Sequence, residues 1–291
     1  MGAAQFSKAL TAADWQTLQK IKGAARKRPP LHFLPFYLGD TQIGCVPKDR
    51  AKRIADALGA STLTPEGLNW KAEHDSYAER SLRLGAIADR FHQMGLISGW
   101  RSEAYEYLAP GTAISAQPYP LFKLERAAFR FFGLQSQAVH VNGFDPTGLM
   151  WSGRRALNKA TDPGKLDNLA AGGLSAGESI QSCAQRELLE EAGLIVPDCG
   201  TPQAAGFIVT SRAEPEGWHD EILWVFNLDL APVIEPINTD GEVSEFLHLD
   251  AGSVMQRIRN AEYSVDAACV IAQGLIHQYQ RMTGQPFSFA I

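Results

Sequence analysis

The stretch Gly172 to Leu194, GGLSAGESIQSCAQRELLEEAGL, decides how the second half of this 291-residue chain is read. Gly172, Gly173 and Gly177 supply the backbone freedom of a tight loop whose carbonyls can face a metal. Ser179 is placed to cap a helix, and Glu178 brings negative charge to that helix's positive end. Ala184, Leu188 and Ala192 recur every four residues and form an apolar stripe, with Leu189 beside it. Gly193 stands where a left-handed residue ends a helix. On such a helix Glu187, Glu190 and Glu191 fall within an arc of about 100°. Like charges at this spacing each cost a helix about 0.2–0.5 kcal/mol. A face that needed only solvation would mix in lysines, so a merely acidic surface helix is the weaker reading. Three stacked carboxylates suit a hard divalent cation, Mg²⁺ or Mn²⁺, whose shell substrate phosphates can complete.

From Gly172 the chain runs five residues to Glu178, seven more to Arg186-Glu187-Leu188, one to Glu190-Glu191 and one to Gly193-Leu194. This spacing resembles the Nudix box, and all nine specified positions match. The resemblance implies a Mg²⁺-dependent hydrolase of a diphosphate linked to another moiety. It also implies a loop–helix–loop site on an α/β/α sandwich with a mixed sheet. Glu187 and Glu191, one turn apart, are then the strongest metal ligands, and Glu190 is a ligand or a base. The carbonyl of Gly172 or Ala171 is a further ligand, and Arg186 pairs with Glu178 or Glu190 to hold it in orientation.

The rest of the chain bounds this reading. Hydrophobic content of 45%, charged content of 20% and a net charge of −5 are those of a soluble globular protein. Nothing in that charge suggests a nucleic-acid face or a polybasic membrane patch, so neither partner is expected. No leader pattern and no apolar run of about 18 residues is read, which points to a cytoplasmic protein. Cys45, Cys183, Cys199 and Cys269 are scattered, without zinc spacing, and read as buried free thiols.

The length suits two domains: a small α+β domain over residues 1–135 and a catalytic domain over 136–291. In the first, Leu10–Lys22 and Lys48–Leu58 read as helices, with a hairpin over Phe33–Val46 turning at Gly39-Asp40. Ser76–Met94 has a helical period with Leu82, Ile87 and Phe91 as core candidates. A short strand at Tyr105–Leu108, a linker over Pro110–Pro120 and a helix over Leu121–Phe132 follow. In the second, Ala138–Asn142 and Leu149–Arg155 read as a hairpin across Asp145–Gly148, followed by a loop over Ala156–Leu169. Beyond the box, Gln203–Val209, Glu221–Leu230 and Glu242–Leu249 are strand candidates. Ser253–Met282 reads as helix, broken near Glu262-Tyr263.

A diphosphate carries more charge than one cation neutralises, so further basic groups are expected. Arg154, Arg155 and Lys159 are the candidates, each with ordinary solvated charge as its alternative. Asn168, beside Asp167, caps a turn or contacts substrate, as Gly172 and Gly173 can through their backbone. Around Asp240-Gly241-Glu242 lies a second acidic cluster, in which Glu242 or Glu245 can serve as the base, or Glu190 from the helix. Strand alternation sets Glu242 and Glu245 on opposite faces and does not choose between them. Trp218-His219-Asp220 reads as a loop that stacks on a substrate ring or covers a sheet edge.

VHVNGF (Val139–Phe144), Met150–Gly173 and PINTDGEVSEF (Pro236–Phe246) are similar to Nudix proteins related to thiamine pyrophosphokinase. Those proteins carry an extra amino-terminal region, which residues 33–132 resemble more loosely. That resemblance implies hydrolysis of thiamine-diphosphate-like compounds, such as oxo or oxy forms, to the monophosphate. An ADP-ribose, NADH or nucleotide-sugar pyrophosphatase is the alternative. An allylic-diphosphate isomerase and a non-catalytic Nudix-fold binding module are more distant ones, disfavoured by a box with every glutamate in place. The amino-terminal region reads as a cap over the pocket, a homodimer contact, or both.

Overall fold

The computed structural model describes residues 1–114, 118–159 and 161–286. The linker expected over Pro110–Pro120 therefore lies partly outside the described residues. Two helices open the chain, α1 (Gly2–Lys8) and α2 (Ala12–Ala24), where one from Leu10 was expected. Thr11 separates them: its hydroxyl accepts from the Asp14 N–H while the Asp14 carboxylate accepts from the Thr11 N–H.

β1 (Phe33–Leu38) and β2 (Thr41–Pro47) form the expected hairpin, followed by α3 (Lys48–Leu58), β3 (Ser61–Thr64) and β4 (Gly67–Trp70). These four strands make one sheet in the order β2-β1-β4-β3. Next come α4 (Tyr77–Gln93), β5 (Ala104–Leu108), β6 (Pro120–Glu125) and α5 (Arg126–Phe132). The helix expected over 121–132 is thus half strand. In LFKLE the period is ambiguous over so short an apolar run, and antiparallel pairing with β5 decides it. Phe36, Trp70, Phe122 and Phe132 anchor the core of this part. Ile87 and Phe91 join it, but Leu82 lies on the open side of α4 and is exposed.

The remainder comprises β7 (Gln135–Phe144), β8 (Met150–Arg155), β9 (Leu166–Asp167), β10 (Ala170–Gly173) and α6 (Ile180–Ala192). Then follow β11 (Gln203–Glu214), β12 (Gly217–Asp229), β13 (Val243–Leu249), α7 (Ala251–Arg259) and α8 (Val265–Thr283). The sheet is mixed, ordered β11-β12-β7-β8-β13, with β10 beside β7 and β9 beside β8. β7 pairs in parallel with β12 along its whole length, and meets β8 only at Gly143 and Phe144. The expected hairpin is therefore a short splayed corner. Between its arms β10 takes the free edge of β7, setting Ala171 opposite His140 and Gly172 opposite Val139.

Leu188, Cys183 and Ala184 of α6 pack with Val139, Val141 and Leu228 on one face of this sheet. On the other face Cys269 and Val270 of α8 pack with Leu223 and Val225. Strands buried on both sides are apolar on both sides, which is why β12 shows little alternation. The result is an α/β/α sandwich with a mixed sheet, preceded by an α+β region. Phe6, Trp15 and Leu18 of the opening helices pack with Phe144, Met150 and Leu275. The amino terminus thus lies against the carboxy-terminal sandwich and not in the core of residues 34–134 that follows it.

Candidate active site

Helix α6 is built as its sequence prescribes. The Ser179 hydroxyl accepts from the Ser182 N–H at 3.1 Å, and Gly193 ends the helix in the left-handed region. The Leu194 N–H reaches back to the Leu188 carbonyl, six residues earlier, as in a Schellman stop. Ala184, Leu188 and Ala192 are buried, whereas Leu189 is half exposed and lies outside the stripe. One side of the buried face is not apolar: Glu187 and Glu191 are each only 7% exposed.

These two carboxylates meet the glycine strand. Gly172 passes so close to Glu187 that a Cβ there would lie 1.8 Å from a carboxylate oxygen. The Ala171 N–H donates to Glu191 at 2.9 Å. Burial, opposed by Arg186, leaves Glu187 above the usual carboxylate range. Burial and the neighbouring Glu187 charge push Glu191 well above it. Arg186 joins the other acids. It grips Glu178 with two nitrogens at 2.9 and 3.0 Å and donates to Glu187 at 2.5 Å and Glu190 at 3.0 Å. A fifth hydrogen bond, to the Gly173 carbonyl at 3.1 Å, ties the arginine to the glycine strand. Glu178 is buried enough to be raised, but the Arg186 fork outweighs this and holds it low. Both partners expected for Arg186 are therefore used at once.

The ridge floors a polar cavity of about 520 Å³. Arg186, Glu187, Glu190, Gly172 and Gly173 line it, and so do Arg155, Lys159 and Glu242. Lys159 forms an ion pair with Glu242. That pair, against the upward push of burial, keeps the Glu242 carboxyl below its ordinary range. Arg155 donates to Asp167 at 2.7 Å. The bulge between Val243 and Glu245 sorts the second acidic cluster. Glu242 faces the cavity, while Glu245 pairs with Arg154 away from it.

Three expected site residues do not line the cavity: Glu191, buried behind Ala171, whose N–H it holds, Arg154 and Asn168. Arg154, next along the strand from Arg155, points to the other face and also binds the Gly164 carbonyl at 3.1 Å. Asn168 is 2% exposed and serves an interior network. It pairs with His140 Nδ1 at 2.8 Å and donates to Asn142 at 2.7 Å, and Asn142 in turn donates to Asn227 at 3.1 Å. His219 likewise lies in strand β12 and not in a loop, buried with Trp218, whose ring meets Phe33 edge-on at 5.6 Å.

Other lining residues came without a sequence signal. His140 and Glu221 sit on central strands, and Asp266 starts α8. Glu103, Tyr105, Arg126 and Arg130 come from the amino-terminal region. Strand β5 reaches the glycine loop directly, through the Ala176 N–H on the Ala104 carbonyl at 2.8 Å and Ser175 on Glu103 at 2.7 Å. A Cβ on Gly173 would lie 1.5 Å from the Tyr105 hydroxyl. The amino-terminal region thus forms a wall of the cavity. Among the described residues no helix is long and apolar enough to cross a membrane.

The donor set suits a hard divalent cation. Glu187 and Glu191 offer hard oxygen ligands beside one backbone N–H and one arginine. Among the described residues the three-residue group whose ligand atoms already lie close enough to share an ion is His219, Glu221 and Asp266. All four cysteines are buried free thiols, so no thiolate competes as ligand.

Comparison with known proteins gives the family. Residues 135–265 match the model of the NUDIX domain, and residues 15–136 match a domain of unknown function, DUF4743. Nudix hydrolase 24, chloroplastic, of Arabidopsis thaliana is 30% identical over 260 residues, covering 87% of this chain and 70% of that protein. Nudix hydrolase 20, chloroplastic, from the same plant is 29% identical over 79% of this chain and 64% of its own length. Among solved structures, DR0079 from Deinococcus radiodurans aligns with 58% of this chain and 97% of its own at 18% identity, with a TM-score of 0.43. With its complete box folded around a buried carboxylate pair, the chain belongs to the Nudix hydrolase family.

Proposed function

We propose that this cavity hydrolyses, with Mg²⁺, the diphosphate bond of a thiamine-diphosphate-like substrate, releasing the monophosphate. As a Nudix hydrolase the protein acts on a diphosphate linked to another moiety; the metal and the organic group are the finer steps of this reading. The observation that carries it is a pair of buried carboxylates, Glu187 lining the cavity and Glu191 one turn on behind it, with arginine and lysine among the other lining residues. Glu187 and Glu191, with Glu190 and the Gly172 carbonyl, would hold the cation. When bound, the ion supplies neutralisation of phosphoryl charge and an acidified water.

The chain's own groups do the rest. Arg186 keeps Glu187 and Glu190 aimed by bonding both. Glu242, kept ionised by Lys159, accepts the proton of the attacking water. Arg155, fixed by Asp167, and Lys159 offer positive charge to the phosphates. Support for the thiamine-like group comes from position. The stretches resembling the thiamine-pyrophosphokinase-related proteins include His140, Arg155, Lys159, Gly172 and Glu242, all of which line the cavity.

A hydrolysis screen read by chromatographic separation of the products tests this, with thiamine diphosphate, its oxo and oxy analogues, ADP-ribose and NADH, each with Mg²⁺ and with EDTA. The expected outcome is Mg²⁺-dependent turnover that is highest for an oxo or oxy analogue. Preference for ADP-ribose or NADH replaces the substrate, and turnover of none removes the assignment.

A further inference from the structure

The geometry points to Arg130, on helix α5 of the amino-terminal region, as an anion-binding residue that takes a phosphoryl group of the substrate across the cavity from the metal ridge. The inference rests on reading the cavity as a diphosphate site. Five cationic side chains line that cavity: Arg126, Arg130, Arg155, Lys159 and Arg186. Four of them have a carboxylate within 4 Å, namely Glu103 for Arg126, Asp167 for Arg155, Glu242 for Lys159 and three glutamates for Arg186. Arg130 has no such partner among the described residues. Its side chain makes one hydrogen bond there, from Nη1 to the Thr161 hydroxyl at 3.4 Å.

A half-buried guanidinium with most of its five donors unspent is an expensive group to leave facing a cavity, and a phosphate is the ligand whose oxygens match its fork. The backbone beneath it is anchored. Gly217, at the turn joining β11 to β12, packs so tightly on the Arg130 carbonyl that a Cβ there would come within 2.1 Å. Arg50 ties the same turn to the amino-terminal region through the carbonyls of Pro215 and Glu216. Arg130 is therefore presented from one half of the chain to a site in the other by a fixed, glycine-dependent contact. Neighbouring Arg126, whose guanidinium sits 5.8 Å over the Tyr105 ring, is already committed to Glu103. The amino-terminal region then reads substrate charge and does more than close the cavity.

Calorimetric titration of the full chain with inorganic pyrophosphate, in Mg²⁺ and in EDTA, tests this. In both buffers Arg130→Ala is expected to weaken binding roughly tenfold or more, and Arg130→Lys, which keeps charge but loses the fork, by an intermediate factor. The melting temperature of each variant should stay within about 2 °C of the parent, because one long hydrogen bond is all that is lost. An Arg130→Ala variant that binds pyrophosphate within about twofold of the parent in both buffers overturns the inference. Binding by the parent that Mg²⁺ does not strengthen overturns the metal-dependent reading and leaves Arg130 in place. No binding by the parent in either buffer overturns both.

Discussion

Asp266 and Arg212 show how single residues fix a covering helix to the sheet. The Arg212 fork on β11 meets the Asp266 carboxylate, in the first turn of α8, at 2.8 and 3.0 Å. Burial raises the Asp266 carboxyl, but His219 and Arg212 outweigh burial and hold it well below the ordinary value of 3.8. The unfolded chain therefore takes up a proton near that ordinary value while the folded chain does not. This contribution to stability is complete above the unfolded value and is lost as pH falls through 3.8 toward the lower folded value. Asp266→Asn should cost about 1–3 kcal/mol at neutral pH, since the buried Arg212 guanidinium loses one of its two carboxylate partners and keeps Glu214. Urea unfolding at pH 7 and between pH 5 and 3, on the order of the range where carboxylates titrate, checks both points. The variant should lose less stability on acidification than the parent. An equal acid sensitivity would remove Asp266 from the account.

At the scale of elements, the site is a contact between α6 and β10. Gly172 is glycine because the Glu187 carboxylate occupies the space a side chain would need. Gly172→Ala should push that carboxylate off the floor and lower turnover about tenfold or more. The stability cost should remain within about 1–3 kcal/mol, the usual range for overpacking. Steady-state rates together with a melting curve would show this, and unchanged turnover would mean that the ridge tolerates displacement. This element pair was legible in the chain because its signals are local: a cap, a stop and a four-residue stripe within 23 residues. The helix expected over 121–132 failed for the converse reason, since LFKLE is made a strand by β5, a partner more than ten residues away. Leu189 and Leu82 were assigned to cores by spacing near the edge of an apolar arc, where tertiary contact decides exposure. Strand alternation leaves Glu242 or Glu245 open; in the fold Glu242 lies at the cavity, as Glu190 does, and Glu245 lies away from it beyond a bulge that no local residue announces.

The whole molecule adds what neither residue nor element shows. The metal ridge comes from one stretch, but the cavity takes His140 from β7, Asp266 from α8, and Tyr105, Arg126 and Arg130 from the amino-terminal region. These meet only through tertiary topology, so their part in the site was invisible in the sequence, although each residue is ordinary where it stands. The same topology buries Glu187 and Glu191, a placement that costs stability unless a cation compensates it. On the reading proposed above, this buried pair exists to hold a divalent ion against a diphosphate. The most direct measurement compares the parent with Glu191→Gln, recording turnover under saturating Mg²⁺ and melting temperature in EDTA. Glutamine keeps the acceptor for the Ala171 N–H and removes only charge. The account predicts turnover lowered about tenfold or more, with a metal-free melting temperature equal to or above the parent's. Unchanged turnover at saturating Mg²⁺ in a folded variant would contradict it.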